Sequence, residues 1–170
     1  TIIGDPNPDF LVNLTTAVSY KGFTLSAFFQ SSIGNDIYSL SMAAQAYDYG
    51  YNGNTLREVY YNHWTPENPT ANYPNLDQTS YKMSDRFVYD GSFVRLKNLE
   101  LAYDVPCARN KFIKRARVYV SAQNLFTITS YPFWDPDINA NGGGSSMIQG
   151  VDSYCYPSAR TYTIGCRLTF

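Results

Sequence analysis

The sequence is poor in charge, histidine and cysteine, and each shortage excludes a class of function. Charged residues make up 16% of the chain, where a soluble domain usually carries about 25%. The net charge is −1, so we expect no nucleic-acid partner. The single histidine, His63, has no catalytic motif around it, and Cys107, Cys155 and Cys166 lie far apart. We therefore expect neither a disulfide framework nor an enzyme.

Long apolar runs are also missing, which excludes a transmembrane helix, whereas aromatic residues are abundant. The chain contains 16 Tyr and 10 Phe. Both are strand formers, and Tyr also favours membrane–water interfaces. Few charges combined with many aromatics are typical of a β-barrel wall, in which lipid-facing and water-facing residues alternate. A soluble β-sandwich has the same composition and stays open as an alternative.

The last residues of the chain alternate between apolar and polar. Tyr162, Ile164, Cys166, Leu168 and Phe170 are apolar or aromatic, and the residues between them are polar or tiny. A period of two predicts a strand with one apolar face and one polar face. Five stretches alternate in this way and are predicted to be strands, at residues 9–20, 23–31, 92–105, 115–129 and 159–170.

The connections between these strands alternate between short and long. Lys21-Gly22 and residues 106–114 are short, whereas 32–90, in which we expect one or two short helices, and 131–158 are long. Outer-membrane barrels have short periplasmic turns and long extracellular loops, so the asymmetry predicts a periplasmic C-terminus. Several runs reach the roughly 9–11 residues that span a membrane, whereas sandwich strands average about 5–6.

The predicted fold class is therefore all-β, an antiparallel transmembrane β-barrel segment with long extracellular loops, over residues 1–170. Five strands are too few to close a membrane barrel, which needs at least about eight. The chain also begins without Met. We therefore expect it to be a piece of a longer protein, with the rest of the barrel upstream.

Five stretches of the sequence, taken in order, resemble the C-terminal part of the SusC/RagA family. They are GDPNPDF, YKGFTLSAFFQSSIGNDIY, DGSFVRLKNLELAYDVP, RVYVSAQNLFTITSY and YPSARTYTIGCRLTF. The family comprises TonB-dependent outer-membrane transporters of Gram-negative bacteria. The resemblance implies about five C-terminal strands of a 22-stranded barrel whose N-terminal plug is not in this sequence. One departure is Trp134-Asp135-Pro136-Asp137, which stands where the family usually has Asp-Pro-Glu.

The resemblance also implies a function and a set of partners. The family imports oligosaccharides, and sometimes peptides, with a SusD-like lipoprotein outside and the TonB complex acting from inside through the missing N-terminal part. The last stretch looks like the signal that outer-membrane barrels present to the barrel-assembly machinery, carried here by Thr163, Gly165, Leu168 and Phe170. Two alternatives remain open, a passive porin-type barrel and a soluble carbohydrate-binding β-sandwich.

Aromatic residues in the long loops are the candidate substrate contacts. Their rings can stack on sugar rings, with nearby Asp and Asn bonding the hydroxyls. The candidates are Tyr61, Trp64, Tyr131, Trp134 and Tyr154. The alternative is that they pack the loops, form the interfacial girdle or contact the lipoprotein. Polar wall residues are expected to face the plug or water, namely Arg95, Asn98, Glu100, Gln123 and Arg167.

One loop contains part of a calcium-binding pattern. Asp137, Asn139 and Asn141, followed by glycine, match the first half of a calcium loop. The position that needs a bidentate glutamate holds an isoleucine, so Asp135 or Asp152 would have to compensate. The alternative is a flexible loop rich in Gly and Asn. We expect no cofactor, with calcium left open.

Overall fold

The structure, a computed structural model, describes residues 2–47, 54–76, 83–106, 112–138 and 149–170. Cys107, Asn139 and Asn141 lie outside the described residues. The chain divides into two compact units. The sheet unit comprises Pro8–Asn35, Gly91–Asp137 and Tyr156–Phe170, and the loop unit comprises Thr1–Asn7, Asp36–Asp90 and Ile138–Cys155. Neither helix in the described ranges is long and apolar enough to span a bilayer.

Eight strands and two α-helices follow one another along the described chain. In order they are β1 (Phe10–Tyr20), β2 (Phe23–Ile33), β3 (Asp36–Ser39), α1 (Leu40–Tyr47), α2 (Arg57–Tyr61), β4 (Val88–Asp90), β5 (Phe93–Val105), β6 (Arg115–Thr129), β7 (Val151–Asp152) and β8 (Thr161–Thr169). A short 3-10 helix at Asp85–Phe87 precedes β4.

The sheet unit is built around one antiparallel sheet in the order β1-β2-β5-β6-β8. Residues that pair directly across antiparallel strands share a face. One such row is apolar, and its side chains are 47–84% exposed: Val18, Leu25, Leu101, Val120 and Ile164. The next row, on the other face, is small or polar: Ala17, Ser26, Glu100, Ser121 and Thr163.

The uncovered apolar face decides between the two all-β readings. A sandwich packs the apolar faces of its sheets against each other in a dry core. In the sheet unit the apolar row is instead open to the surroundings, while the polar face holds the buried side chains of Arg95 and Ala102. The alternative of a self-contained sandwich is therefore excluded for the described residues, and the predicted antiparallel sheet with one apolar and one polar face is observed.

The strand ends that the short connections join lie at one end of this sheet. Lys21 and Gly22 have φ angles of 46° and 85°, and two successive positive φ values make the tight turn that suits a twisted hairpin. The Asp104 amide donates to the Gly22 carbonyl at 2.9 Å, and the Lys114 amide donates to the Thr169 carbonyl at 2.8 Å. The β1–β2 turn, the end of β5, the start of β6 and the end of β8 therefore share this end.

The long connections contain regular structure with a core of its own. In the loop unit, β3 pairs antiparallel with β4 and parallel with β7. The helices α1 and α2 fall within 32–90, where one or two helices were expected, whereas this small sheet was not predicted. Its core is almost fully buried and consists of Tyr38, Ala43, Ala46, Val59 and Phe87. The segments read as loops are thus partly a folded unit.

Candidate functional site

A buried arginine on the polar face organises the clearest candidate site. Arg95 lies on β5 directly opposite Thr127 on β6, and its side chain is only 2% exposed. Its Nε donates to Thr127 Oγ1 at 2.9 Å, and its Nη2 pairs with the Asp135 carboxylate. Its Nη1 lies 3.3 Å from Ser158 Oγ and 3.4 Å from Asp137 Oδ2. The guanidinium thus joins two strands and the segments that follow β6 and precede β8.

Asp135 is held as tightly as its arginine partner. Its Oδ2 accepts from the Ser158 amide and its Oδ1 from the Asp137 amide, both at 2.9 Å. Burial on its own raises the pKa of the Asp135 carboxyl. The two amide hydrogen bonds, together with the hydrogen bond and the charge of Arg95, outweigh burial, so the pKa lies below its ordinary value. The carboxylate is therefore ionised at neutral pH and offsets the arginine charge.

This Arg95–Asp135 clamp corrects the expectation for Arg95. The sequence pattern assigned Arg95 correctly to the polar face but suggested that it meets the plug or water. Instead, the turn after β6 places Asp135 over the Arg95 guanidinium, and the guanidinium is thereby removed from solvent. The signal that sequence reasoning missed is the Asp-x-Asp pattern in this turn, whose first carboxylate accepts the amide two residues later.

The same contacts bear on the calcium prediction. Asp135 is occupied by the clamp, and Asp137 Oδ2 lies 3.4 Å from an Arg95 nitrogen and 3.5 Å from Lys97 Nζ. Two cations beside a carboxylate compete with a bound metal ion. Among the described residues no group of three or more His, Cys, Asp or Glu side chains is arranged to hold a metal. Because Asn139 and Asn141 lie outside those residues, the calcium loop stays a prediction.

A cavity of about 430 Å³ adjoins the clamp on the polar face. Besides Arg95 and Asp135 it is lined by Asn124, Thr127, Thr129, Phe133, Trp134, Pro136, Pro157, Ser158 and Arg160. Trp134 is 75% exposed, and Arg160 is exposed as well. Asn124 has a φ of 51° and donates from Nδ2 to the Ala159 carbonyl at 3.0 Å. Its Oδ1 is buried and has no hydrogen-bond partner within the described part of the chain. We call this the Trp134 cavity.

A second groove, of about 390 Å³, lies in the loop unit. It is lined by Trp64, Ala71, Asn72, Tyr73, Pro74, Asn75 and Arg86. The Arg86 guanidinium lies 6.0 Å from the centre of the Tyr73 ring and donates to the Asn72 carbonyl. Burial, with a further contribution from the charge of Glu58, raises the pKa of the Tyr73 hydroxyl. That hydroxyl therefore stays protonated over the physiological range.

The five predicted aromatic contacts are divided between the two units, with Tyr131 and Trp134 in the sheet unit and Tyr61, Trp64 and Tyr154 in the loop unit. Trp134 lines its cavity and Trp64, which is 41% exposed, lines its groove, whereas Tyr61 and Tyr154 are 70% and 62% exposed but line neither. Tyr131 is only 4% exposed, and its ring packs edge to face against the ring of Phe133. Its ring faces are therefore not free to stack, and we remove Tyr131 from the set of sugar-binding candidates.

The terminal strand shows why Gly165 is glycine. Gly165 pairs with Tyr119 on β6, and a Cβ at Gly165 would lie 2.5 Å from both Cζ and Oη of that tyrosine. Real side chains do not approach so closely, so the tyrosine ring occupies the space that glycine leaves empty. Sequence reasoning named Gly165 for assembly and missed this packing role. The assembly signal itself, with Thr163, Leu168 and Phe170, stays a prediction.

Comparison with known proteins finds relatives along almost the whole chain. No family model matches. A TonB-dependent receptor of Formosa agariphila is 36% identical over 174 residues, which cover 99% of this chain and 17% of the receptor. The TonB-dependent receptor SusC of Bacteroides thetaiotaomicron is 29% identical over 168 residues, covering 97% of this chain and 15% of SusC.

Solved structures agree with these relatives. The RagAB peptide transporter matches with a TM-score of 0.78 at 28% identity, covering 99% of this chain and 18% of that chain. The RagAB peptide importer in its open-open state gives a TM-score of 0.73 over the same shares. The chain thus spans less than a fifth of the length of the proteins it matches, and the likeness confirms the predicted β-barrel fold class.

Proposed function

Because this chain belongs to the SusC/RagA family of TonB-dependent transporters, we propose that it supplies part of the wall and outer loops of an outer-membrane importer. The observation that carries the proposal is the uncovered apolar face of the five-stranded sheet. At about 25 cal/mol per Å² of apolar surface, leaving such a face in water is costly, whereas hydrocarbon removes the cost. We therefore assign this face to lipid.

The opposite face of the sheet suits a water-lined interior. Arg117 lies 3.7 Å from Glu100 and 3.5 Å from Asp104, so charged side chains of both signs line this face. Charges of this kind are expensive in hydrocarbon and are accommodated in a polar lumen. The described residues give the outer strands β1 and β8 one neighbour each. Open edges are not stable in lipid, so further strands of the same protein complete the barrel.

We assign the long connections to the extracellular side and the end holding the Lys21-Gly22 turn to the periplasm. The full protein then works with a SusD-like lipoprotein, couples to TonB through its plug and inserts by way of the assembly machinery. One similar solved structure is named a peptide importer. We favour oligosaccharide cargo, because the exposed rings of Trp64 and Trp134 stand beside amide and guanidinium groups.

The test separates an importer from a passive porin, which shares the wall but needs no energy. Cells producing the full-length protein would be given fluorescent oligosaccharides, with and without TonB, and internal fluorescence would be followed. The importer predicts that uptake is lost without TonB. Uptake that continues unchanged would instead establish a porin-type barrel.

A further inference from the structure

We propose that the Trp134 cavity is a binding site for a carboxylated saccharide, with Arg160 holding the carboxylate. The inference rests on the proposed function, since it names the class of cargo for which this part of the wall is built. The cavity, at about 430 Å³, falls within the range of roughly 300–1,000 Å³ that is usual for small-molecule sites. Its walls come from Arg95 on β5, from β6, and from the segments that follow β6 and precede β8.

Among the described residues around the cavity, Arg160 is a positive group without a carboxylate partner. Arg95 is offset by Asp135, and Lys97 lies 3.5 Å from Asp137 Oδ2. No carboxylate pairs with Arg160 among the residues that the structure describes, although it lines the same cavity. A guanidinium presents a planar fork of donors that matches a carboxylate with two hydrogen bonds. The surplus charge therefore selects an anionic ligand over a neutral one.

An unfilled acceptor in the wall points to a ligand that carries hydroxyls. Asn124 Oδ1 is buried without a partner in the described part of the chain, whereas Nδ2 of the same amide is anchored on the Ala159 carbonyl. Buried amide oxygens nearly always accept a hydrogen bond, so this one awaits a donor. A sugar hydroxyl is such a donor, and the hydroxyls of Thr127 and Ser158 in the same lining, which accept from Arg95, keep their own hydrogen atoms to donate to a polyhydroxylated ligand.

The indole of Trp134 provides the flat surface that a sugar ring needs. It is 75% exposed, although the adjacent Asp135 is held by three hydrogen-bond donors. An exposed aromatic residue on an anchored turn contributes contact area without a large ordering cost on binding. The clamp thus acts as a positioning element for Trp134.

Carboxylate-bearing peptides share the charge but fit the lining less well. A peptide site needs apolar pockets for side chains. Apart from Trp134, the apolar lining consists of Phe133, Pro136 and Pro157, and most of the remaining lining is hydroxyl, amide or guanidinium. We therefore commit to a saccharide and treat an acidic peptide as an outcome that contradicts the proposal.

The experiment is calorimetric titration of the full-length transporter in detergent micelles. The probes are trigalacturonate, the neutral trigalactoside of the same size and an acidic tripeptide. Trigalacturonate should bind more tightly than the trigalactoside, and added salt should weaken it alone. Arg160→Gln should lower trigalacturonate affinity about tenfold and leave trigalactoside unchanged, as expected for losing one charge-assisted contact. Trp134→Ala should weaken both sugars.

A matched control variant is Arg115→Gln, because Arg115 is 67% exposed and lies at the opposite end of β6. It should bind all probes as the wild type does. Equal affinity for the charged and neutral sugars, no change on Arg160→Gln, or preferential binding of the tripeptide would each overturn the proposal. If any of these occurs while uptake still requires TonB, only the cavity assignment fails. If trigalacturonate binds as expected but uptake does not require TonB, only the import function fails.

Discussion

Replacing Asp135 by asparagine tests the clamp with little change in shape. The Asp135 carboxylate now accepts from Arg95 and from the amides of Asp137 and Ser158. The substitution removes its negative charge and leaves one side-chain oxygen, which can accept from only some of these three donors. Arg95 is then left buried, at 2% exposure, without its main counter-charge. Breaking a buried ion pair by removing one partner costs about 3–5 kcal/mol. Because Asp137 is 37% exposed and 3.4 Å from Arg95, it compensates in part, so we expect about 3 kcal/mol.

The pH dependence of the unfolding free energy tests the stabilising contribution of Asp135 independently. The pKa of Asp135 is lowered in the folded protein from an ordinary value of 3.8. The stabilisation that this carboxylate contributes is therefore fully present above about pH 4–5 and is lost as the pH falls through the folded-state pKa. The wild type should accordingly exceed Asp135→Asn in stability at neutral pH. The difference between the two should shrink under strongly acidic conditions.

The assay is urea unfolding of the full-length barrel in micelles, followed by tryptophan fluorescence at several pH values. Asp137→Asn is the matched control, because the same change is made two residues away on a side chain that is 37% exposed. It should cost less than about 1 kcal/mol. Equal stability of the wild type and Asp135→Asn at neutral pH, or a difference that does not depend on pH, would refute the account of the clamp.

Three further predictions follow from the sheet and the loops. Gly165→Ala should destabilise the barrel by about 1–3 kcal/mol, and adding Tyr119→Ala should restore most of the lost stability. If the two substitutions instead have additive effects on the unfolding free energy in urea, the tyrosine is not the cause. Val120→Arg should cost about 2–4 kcal/mol, whereas Ser121→Arg in the polar row should be tolerated. The same unfolding assay compares the two variants, and similar costs would mean that the faces are misassigned. Trp64→Ala should lower oligosaccharide affinity several-fold in calorimetric titration. It should not change stability, because the Trp64 ring is 41% exposed. Unchanged affinity would mean that Trp64 is a packing residue.

The long strands could be predicted from sequence because each has two different environments on its two faces. The observed β1, β2, β5, β6 and β8 begin and end within two residues of the predicted stretches. Alternation over nine or more residues leaves little freedom in register, since a slip of one residue exchanges the faces. The short strands β3, β4 and β7 span four, three and two residues, too few for alternation to stand out.

The candidate site could be predicted only in part. Its exposed component, Trp134, was identified because an aromatic residue in a polar loop stands out in the sequence. The clamp was not identified, because Arg95 and Asp135 are separated by 40 positions in the chain and nothing local indicates their pairing. The burial of Tyr131 could not be predicted for a related reason. It is as aromatic as Trp134, and only the fold determines which of the two rings is buried.

The central claim is that the apolar face of the sheet contacts hydrocarbon while the opposite face contacts water. Spin labels on cysteines introduced at Val120 and Ser121, in the full-length protein reconstituted into bilayers, measure this directly. The account predicts that the spin relaxation rate of the label at Val120 is raised mainly by oxygen, which partitions into lipid. The rate for the label at Ser121 is expected to be raised mainly by a water-soluble nickel complex. The reverse pattern, or water-soluble relaxation at both positions, would contradict it.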